Sequence, residues 1–350
     1  MTEPSPAGGP SFKLGFLTHV QGRGDGWART YRHAQELFVA ADELGFDVGW
    51  VAQHHVGLGG GGLSSPWPFL AHAAARTRRI RLGTAVTTIP LEDPVRLAED
   101  VAVVDTLSGG RVELGVGSGA SDTEYAAFGK DLGRRRELTT ENLALVRRTL
   151  AGEEVRTPGF RIQPAPGDFT DRIWQGVFSE AGARHAAAAG SNLLLNRAAY
   201  GFDAPTDEVQ HPWADAYLAA WDQPRRPRIG LSRFVFPAKD RRTALKQIGD
   251  DVHRAALRFA ARGAFPEGPG PRRGAAPFPL LLRPPRRDHH RPARGAGPPG
   301  GHRSDHPVQP RRPRPRRRDP RPRTDRHRHR PRPRLETHPG QPAARPRTMR

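Results

Sequence analysis

Two periodicities alternate along the first 263 residues of this chain. Short apolar runs of strand length are followed by stretches in which apolar side chains recur every three or four residues, as on one helix face. Phe12–Leu17 reads as the first strand. Leu37, Ala40, Ala41 and Leu44 then mark a helix from Tyr31 to Leu44, stopped by Gly45. Asp47–Ala52 is the second strand, and Pro66 opens a helix that runs to Ala75. Ile80–Val86 is the third strand, followed by a helix from Asp93-Pro94 to Leu107. Arg111–Val116 is the fourth, followed by a helix from about Arg134 to Leu150. The rhythm continues with strand Ile173–Phe178, helix Glu180–Ala189 and strand Asn192–Leu195. After a longer loop come strand Arg228–Phe236 and helix Arg241–Ala261.

Seven strands spaced by helices predict parallel βαβ units, hence an α/β fold. The rhythm fits a (β/α)8 TIM-type barrel lacking its eighth strand and last helix. A doubly wound open sheet is the competing architecture. The expected organisation is a flexible leader over residues 1–10, an incomplete barrel domain over 11–263 and a basic low-complexity tail over 264–350.

Charge separates the tail from the rest. The formal net charge is +20, but Ala264–Arg350 holds 24 Arg, no Lys and 6 Asp or Glu. The preceding residues carry 32 basic and 30 acidic groups, and 21 of the 36 prolines fall after Gly263. So polar a tail buries too little apolar surface to offset its ordering entropy, which predicts disorder. One reading is a basic arm for nucleic acid, although no Phe, Tyr or Trp interleaves its arginines from Arg283 onward. Another accounts for more. Read one base later, Arg and Pro codons from His302 to Arg334 can encode a strand, a turn and an amphipathic helix. A frameshift between about Gly263 and Arg273 is therefore the expectation, and a non-functional product is its corollary if the shift is real.

The absence of cysteine excludes disulfides, thiolate zinc sites and cysteine nucleophiles. No metal site is assigned. No apolar run reaches membrane-spanning length and no signal-peptide core opens the chain, so it reads as soluble and cytoplasmic.

In a barrel of this kind chemistry collects at the C-terminal strand ends. After the second strand comes Gln53-His54-His55. Neighbouring strand residues face opposite ways, so only one of the two histidines can face the barrel mouth, where an imidazole suits proton transfer. An ordinary structural histidine pair is the alternative. The run Gly59–Gly62 reads as a mobile loop, since it lacks the ending of a phosphate-binding P-loop. Thr84 and Ala85 end the third strand with side chains small enough for a flat ring to approach, tight barrel packing being the alternative. Gly117-Ser118 follows the fourth strand, without the spacing of a dinucleotide fingerprint. Ser179 stands where an N-cap belongs, and the free amides of such a helix start favour a phosphate. Asp105 and Arg111 read as a helix-end salt bridge.

Together, ELGFDVGWVAQHH, RIRLGTAV, EDPVRLAEDVAVVDTLSGGRVELGVGSG and SEAGARHAAAAG resemble the luciferase-like monooxygenase family, in particular its FMN-dependent oxidoreductase subgroup, over about residues 11–263. The resemblance implies a flavin-dependent monooxygenase. Reduced FMN from a separate NAD(P)H-dependent reductase would meet O2 and oxygenate a small organic substrate. A deazaflavin-dependent reductase on the same fold is the alternative, and a homodimer is compatible with the likeness. Residue by residue, the likeness makes His54 the catalytic base and His55 its neighbour. Ser179 and Gly182 would hold the cofactor phosphate, while Thr84, Ala85, Gly117 and Ser118 would lie along its ring. Where the family has an acidic residue before the serine this chain has Phe178, and Arg184 is the candidate to compensate.

Overall fold

The computed structural model describes residues 12–22, 26–57, 61–197 and 204–260, all within one compact unit. The proposed leader and tail, and with them the expected disorder and frameshift, lie outside the described residues.

The strands are β1 (Gly15–Thr18), β2 (Val48–Val51), β3 (Arg81–Thr84), β4 (Thr87–Thr88), β5 (Val112–Gly117), β6 (Ile173–Val177), β7 (Asn192–Leu195) and β8 (Ile229–Leu231). The helices are α1 (Trp27–Glu43), α2 (Pro66–Arg76), α3 (Pro94–Ser108), α4 (Asp122–Ala127), α5 (Arg135–Leu150), α6 (Glu180–Ala188), α7 (Thr206–Ala219) and α8 (Arg241–Ala260). Every pairing is parallel, in the order β1-β2-β3-β5-β6-β7-β8. The two-residue β4 resumes β3 beyond the Ala85–Val86 peptide and also pairs with β5, through Thr87↔Val116, so the two share one barrel position. Seven positions of a (β/α)8 barrel are thus filled. Among the described residues β1 and β8 each pair with one neighbour only.

The strands alternate faces as a pleat requires. Outward residues Val51, Leu82 and Leu114 pack under Phe38, Leu70, Leu97, Val101 and Val146 of the helices in one continuous core. A second core gathers Val177, Leu193 and Leu195 under Ala183, Ala186, Trp213 and Tyr217. Each fully buried Leu or Phe contributes about 1.5–3 kcal/mol. Facing inward, Trp50 meets Trp174 edge to face, with ring centroids 5.6 Å apart. The Trp174 indole donates to Glu113 at 2.7 Å, and Arg81 pairs with the same buried carboxylate at 2.5 Å.

The N-terminal strand ends carry stability rather than chemistry. Asp42 of α1 accepts the backbone N–H groups of Arg78, Arg79 and Ile80, tying α1 to the turn before β3. The expected Asp105–Arg111 bridge does not form. Asp105 pairs instead with Arg172 at 2.6 Å and accepts from Val112 N, while Arg111 caps carbonyls of Ala74, Thr77, Ile80 and Ser108. Two residues six apart at a helix end were the local solution; the start of β6 supplies a nearer partner across the sheet.

Local reading also missed two helices. The loop expected before residue 228 contains α7, with Pro212 inside it. Proline removes one helical donor, yet burial of Trp213 and Tyr217, and the Gln210 amide donating to Asn196 O at 2.6 Å, hold the segment helical. Helix α4 follows β5, capped by Ser121, whose hydroxyl accepts from Glu124 N. The seventh predicted strand, Arg228–Phe236, pairs only over Ile229–Leu231, because its ladder rests on β7 alone.

Candidate functional site

A cavity of about 2980 Å³ runs through the barrel, lined at one end by Leu14, Asp47 and Arg81 and at the other by the C-terminal strand ends. Its lining includes His54, Ala85, Gly117, Ser118, Ser179 and Gly182, drawn from four different strand ends. That gathering is the step local sequence spacing leaves undone.

The pleat separates the two histidines. His54, on the face shared with Trp50 and Ala52, lines the cavity. His55 turns outward and is 7% exposed. Its ring packs against Phe128 at 4.5 Å, and its backbone N–H donates to Glu124 at 2.8 Å. His55 therefore fastens the strand end to α4. Thr84 is fully buried and also lies outside the lining. Its hydroxyl donates to the Gly115 carbonyl and accepts from Gly115 N, stitching β3 to β5. The exposed Arg184 side chain is outside the lining as well, whereas His185, Arg135 and Arg136 belong to it.

Sequence reading passed over His19, which stands just past β1 and opposite His54. His19 Nδ1 and His54 Nε2 are 2.8 Å apart and the rings stack at 5.1 Å, so one nitrogen carries the shared hydrogen and the other accepts it. Burial, then the charge of Arg197, then His54 push the His19 pKa down to about 3. Burial first, then Arg197 and His55, hold His54 below the ordinary histidine value. Both imidazoles are neutral at neutral pH, and a neutral imidazole can accept a proton. A polar side chain at the C-terminal end of the first strand was the available signal for His19. Arg197, just past β7, offered none, because its place in the same cavity lining is wholly tertiary.

The glycine run supports this pair. Gly61 bridges Gln21, the Gly62 N–H donates to Val20 O, and Tyr31 donates to the Gly62 carbonyl. A Cβ at Gly61 would stand 2.7 Å from the His54 ring, so only glycine lets the backbone pass there. Gly61 and Gly62 are anchored, contrary to the mobile loop expected, because β1 lies close enough to pair with them. Gly59 and Gly60 lie outside the described residues. Beneath, Gln53 Nε2 donates to Glu92 at 2.6 Å and to Ser64 O, and its carbonyl accepts from Thr88 N, fixing the strand-end backbone.

On β6, Ser179 caps α6 with an extended backbone, accepting from Gly182 N at 3.1 Å. The α6 start and Ser179 line the cavity, as do the cationic Arg135 and Arg136, and free amides at a helix start favour an anion. Phe178 stands at the mouth, 62% exposed.

The sequence pattern of the family described as luciferase-like monooxygenase matches residues 12–317. The chain belongs to that family. The match runs on past Gly263 into the Arg/Pro-rich region. Among its relatives, 4-hydroxyprotoasukamycin monooxygenase of Streptomyces nodosus subsp. asukaensis is 42% identical over 119 residues, 34% of this chain and 32% of that one. Limonene 1,2-monooxygenase of Rhodococcus erythropolis is 34% identical over 166 residues, 45% of this chain and 43% of its own. The matched stretches thus span between about a third and under half of these relatives. The crystal structure of monooxygenase RslO1 from Streptomyces bottropensis superposes with a TM-score of 0.59 at 28% identity, covering 72% of this chain and 80% of that one. Family membership agrees with the fold, in which seven positions of a (β/α)8 barrel are filled among the described residues. Among the described residues no helix is long and apolar enough to cross a membrane.

Proposed function

We propose that this chain is an FMN-dependent monooxygenase acting on a small organic substrate. The observation that carries the reading is the neutral His19–His54 pair facing the same cavity as the Ser179–Gly182 helix start. One end of the cavity suits a flavin phosphate and the other suits proton transfer. Ser179 and the first amides of α6, with Arg135 and Arg136, would hold the phosphate. Ala85, Gly117 and Ser118 would lie along the ring. Reduced flavin, when bound, supplies the electrons that let O2 react with the substrate; a separate reductase provides it.

The protein's own part is positioning, water exclusion and proton handling. His54 takes or gives a proton at its cavity-facing nitrogen. His19 holds the other ring nitrogen, and so orients the base. Thr84 and His55 act from behind the lining, fixing the backbone of β3 and of the segment after β2. A deazaflavin-dependent reductase would use the same cradle, and the monooxygenase relatives favour the first reading.

The test is a titration of the purified protein with FMN, followed by turnover of His54→Ala with a supplied flavin reductase. Loss of about 10²–10⁴-fold in turnover with FMN affinity kept is the expected result. Unchanged turnover removes His54 from the mechanism, and retention of a deazaflavin but not FMN, read by absorbance and fluorescence, moves the chain to the reductase reading.

A further inference from the structure

Resting on that reading, we propose that the cavity takes a substrate with an acidic hydroxyl, a phenol or an enol. Arg197 receives its oxygen and His54 its proton. The arginines that line the cavity differ in their partners. Arg81 and Arg228 share the buried Glu113 carboxylate, at 2.5 and 3.5 Å. Arg233 donates to the Gln210 amide oxygen at 3.1 Å and to Ser232 O at 2.8 Å. Arg197 has no such match. Among the described residues no carboxylate lies within ion-pair distance of it. Its Nε is buried without an acceptor, and the one contact of its Nη1 is 3.5 Å from Asn196 Oδ1. The guanidinium lies 5.1 Å from the Phe234 ring centroid.

A buried donor left unpaired, as the Arg197 Nε–H is, is costly, and the planar guanidinium fork favours an oxygen anion. The cofactor phosphate is served elsewhere, at the β6–α6 junction. Arg197 lines the same cavity as the histidine pair, and its charge helps to lower both pKa values. A cation with an unfilled donor, lining the same cavity as a neutral base, is the equipment for an O–H that must be ionised. A carboxylate arrives already ionised at neutral pH and needs no base, whereas a phenol, with a pKa of about 10, needs both groups. In the step itself the O–H bond breaks, the proton moves to the free imidazole nitrogen of His54, and the electron pair stays on the oxygen facing Arg197. Pairing of Arg197 with that oxyanion removes one of the charges that depress His54, so proton uptake and anion formation favour each other. The aromatic wall at Phe234 suits a flat, conjugated substrate.

The probe is 4-nitrophenol, whose phenolate absorbs visible light, titrated against pH with the full chain. The expected result is an apparent pKa for bound probe about one unit or more below that of free probe, equivalent to about a tenfold rise in phenolate fraction. Arg197→Gln abolishes the shift and Arg197→Lys retains at least half of it. Wild-type protein that binds the probe with unshifted ionisation overturns the proposal, as does a shift that survives Arg197→Gln with an unchanged circular dichroism spectrum. Should Arg197→Gln not fold, the wild-type titration and Arg197→Lys decide. Displacement of the probe by benzoate at equal concentration makes this a carboxylate site, and displacement by inorganic phosphate makes Arg197 part of the phosphate cradle; either overturns the assignment. FMN binding is measured on the same sample by fluorescence quenching. FMN bound with no probe shift defeats this inference alone; a probe shift without FMN binding defeats the flavin reading alone.

Discussion

The sheet has a closed arc and an open seam. In the closed arc, β5 lies between β3 and β6, and all six of its residues are buried. At the seam, β1 and β8 have one partner each among the described residues; none of the four residues of β1 is fully buried, and Leu231 is 65% exposed. The sequence patterns of the two regions are alike, short apolar runs before helices. What differs is whether a neighbour exists on both sides. Burial in a barrel is thus a property of closure more than of the strand, and unpaired edges are a standing hazard for aggregation. The site straddles this boundary, with His54 following the fully paired β2 and His19 following the edge strand β1.

The largest effect tests the seam directly. We propose that the reading frame slips between Gly263 and Arg273 and that the lost frame encodes the missing strand–helix unit. Resequencing across the codons for Arg254–Arg273 is expected to show a one-base difference. The corrected chain should then close between β8 and β1, with a large gain in soluble yield and a single cooperative melt. An unchanged gene sequence refutes the slip and leaves the edges of β1 and β8 as the chain's own.

A smaller effect sets one glycine of the arc against one near the seam. A Cβ at Gly115 would fall 1.9 Å from the Thr84 carbonyl oxygen, which is backbone and cannot swing away. Gly115→Ala should therefore cost about 1–3 kcal/mol or more. Gly249 lies in α8 with nothing within 4 Å of an added Cβ, so Gly249→Ala should gain about 0.5–1 kcal/mol through helix propensity. Urea denaturation of both variants measures the pair, and equal midpoints would show that the arc is no more tightly packed than α8.

The smallest effect concerns pH. His19 has a folded pKa of about 3, below the 6.5 of the unfolded chain, because burial, then Arg197 and His54, disfavour its charge. The unfolded chain alone binds the proton between these values. The contribution is therefore fully present above pH 6.5 and is lost as pH falls toward 3. His19→Gln should flatten the fall in stability between pH 6.5 and 4.5, read as urea midpoints at several pH values. Parallel curves for the two proteins would mean that His19 is not held neutral by the fold.

How much was legible follows from the range of each signal. Gly45 after α1, Pro66 at the start of α2 and the Ser179 cap are local features, and the chain adopts them. The apolar face read for α1 is not adopted, since Leu37, Ala40 and Leu44 are exposed while Ala34, Phe38 and Ala41 are buried. The alternation rule alone predicted that one of His54 and His55 would face the mouth; the packing of Phe128 and the reach of Glu124 decided that it is His54. Helix α7 was hidden because Pro212 argues against a helix locally, while burial of Trp213 and Tyr217 argues for one only once β7 is in place. The same holds for the site. By itself the sequence determined the alternating α/β architecture, the strand ends that carry polar groups and the Ser179 cap that opens α6, all set within a few residues by backbone sterics and side-chain spacing. Tertiary structure decided which groups meet: His19 with His54, Asp105 with Arg172 rather than Arg111, and Arg197, among the described residues, without a counter-charge. Those outcomes depend on distances between strands tens of residues apart, and no local spacing encodes them until the sheet curls round and brings its ends together.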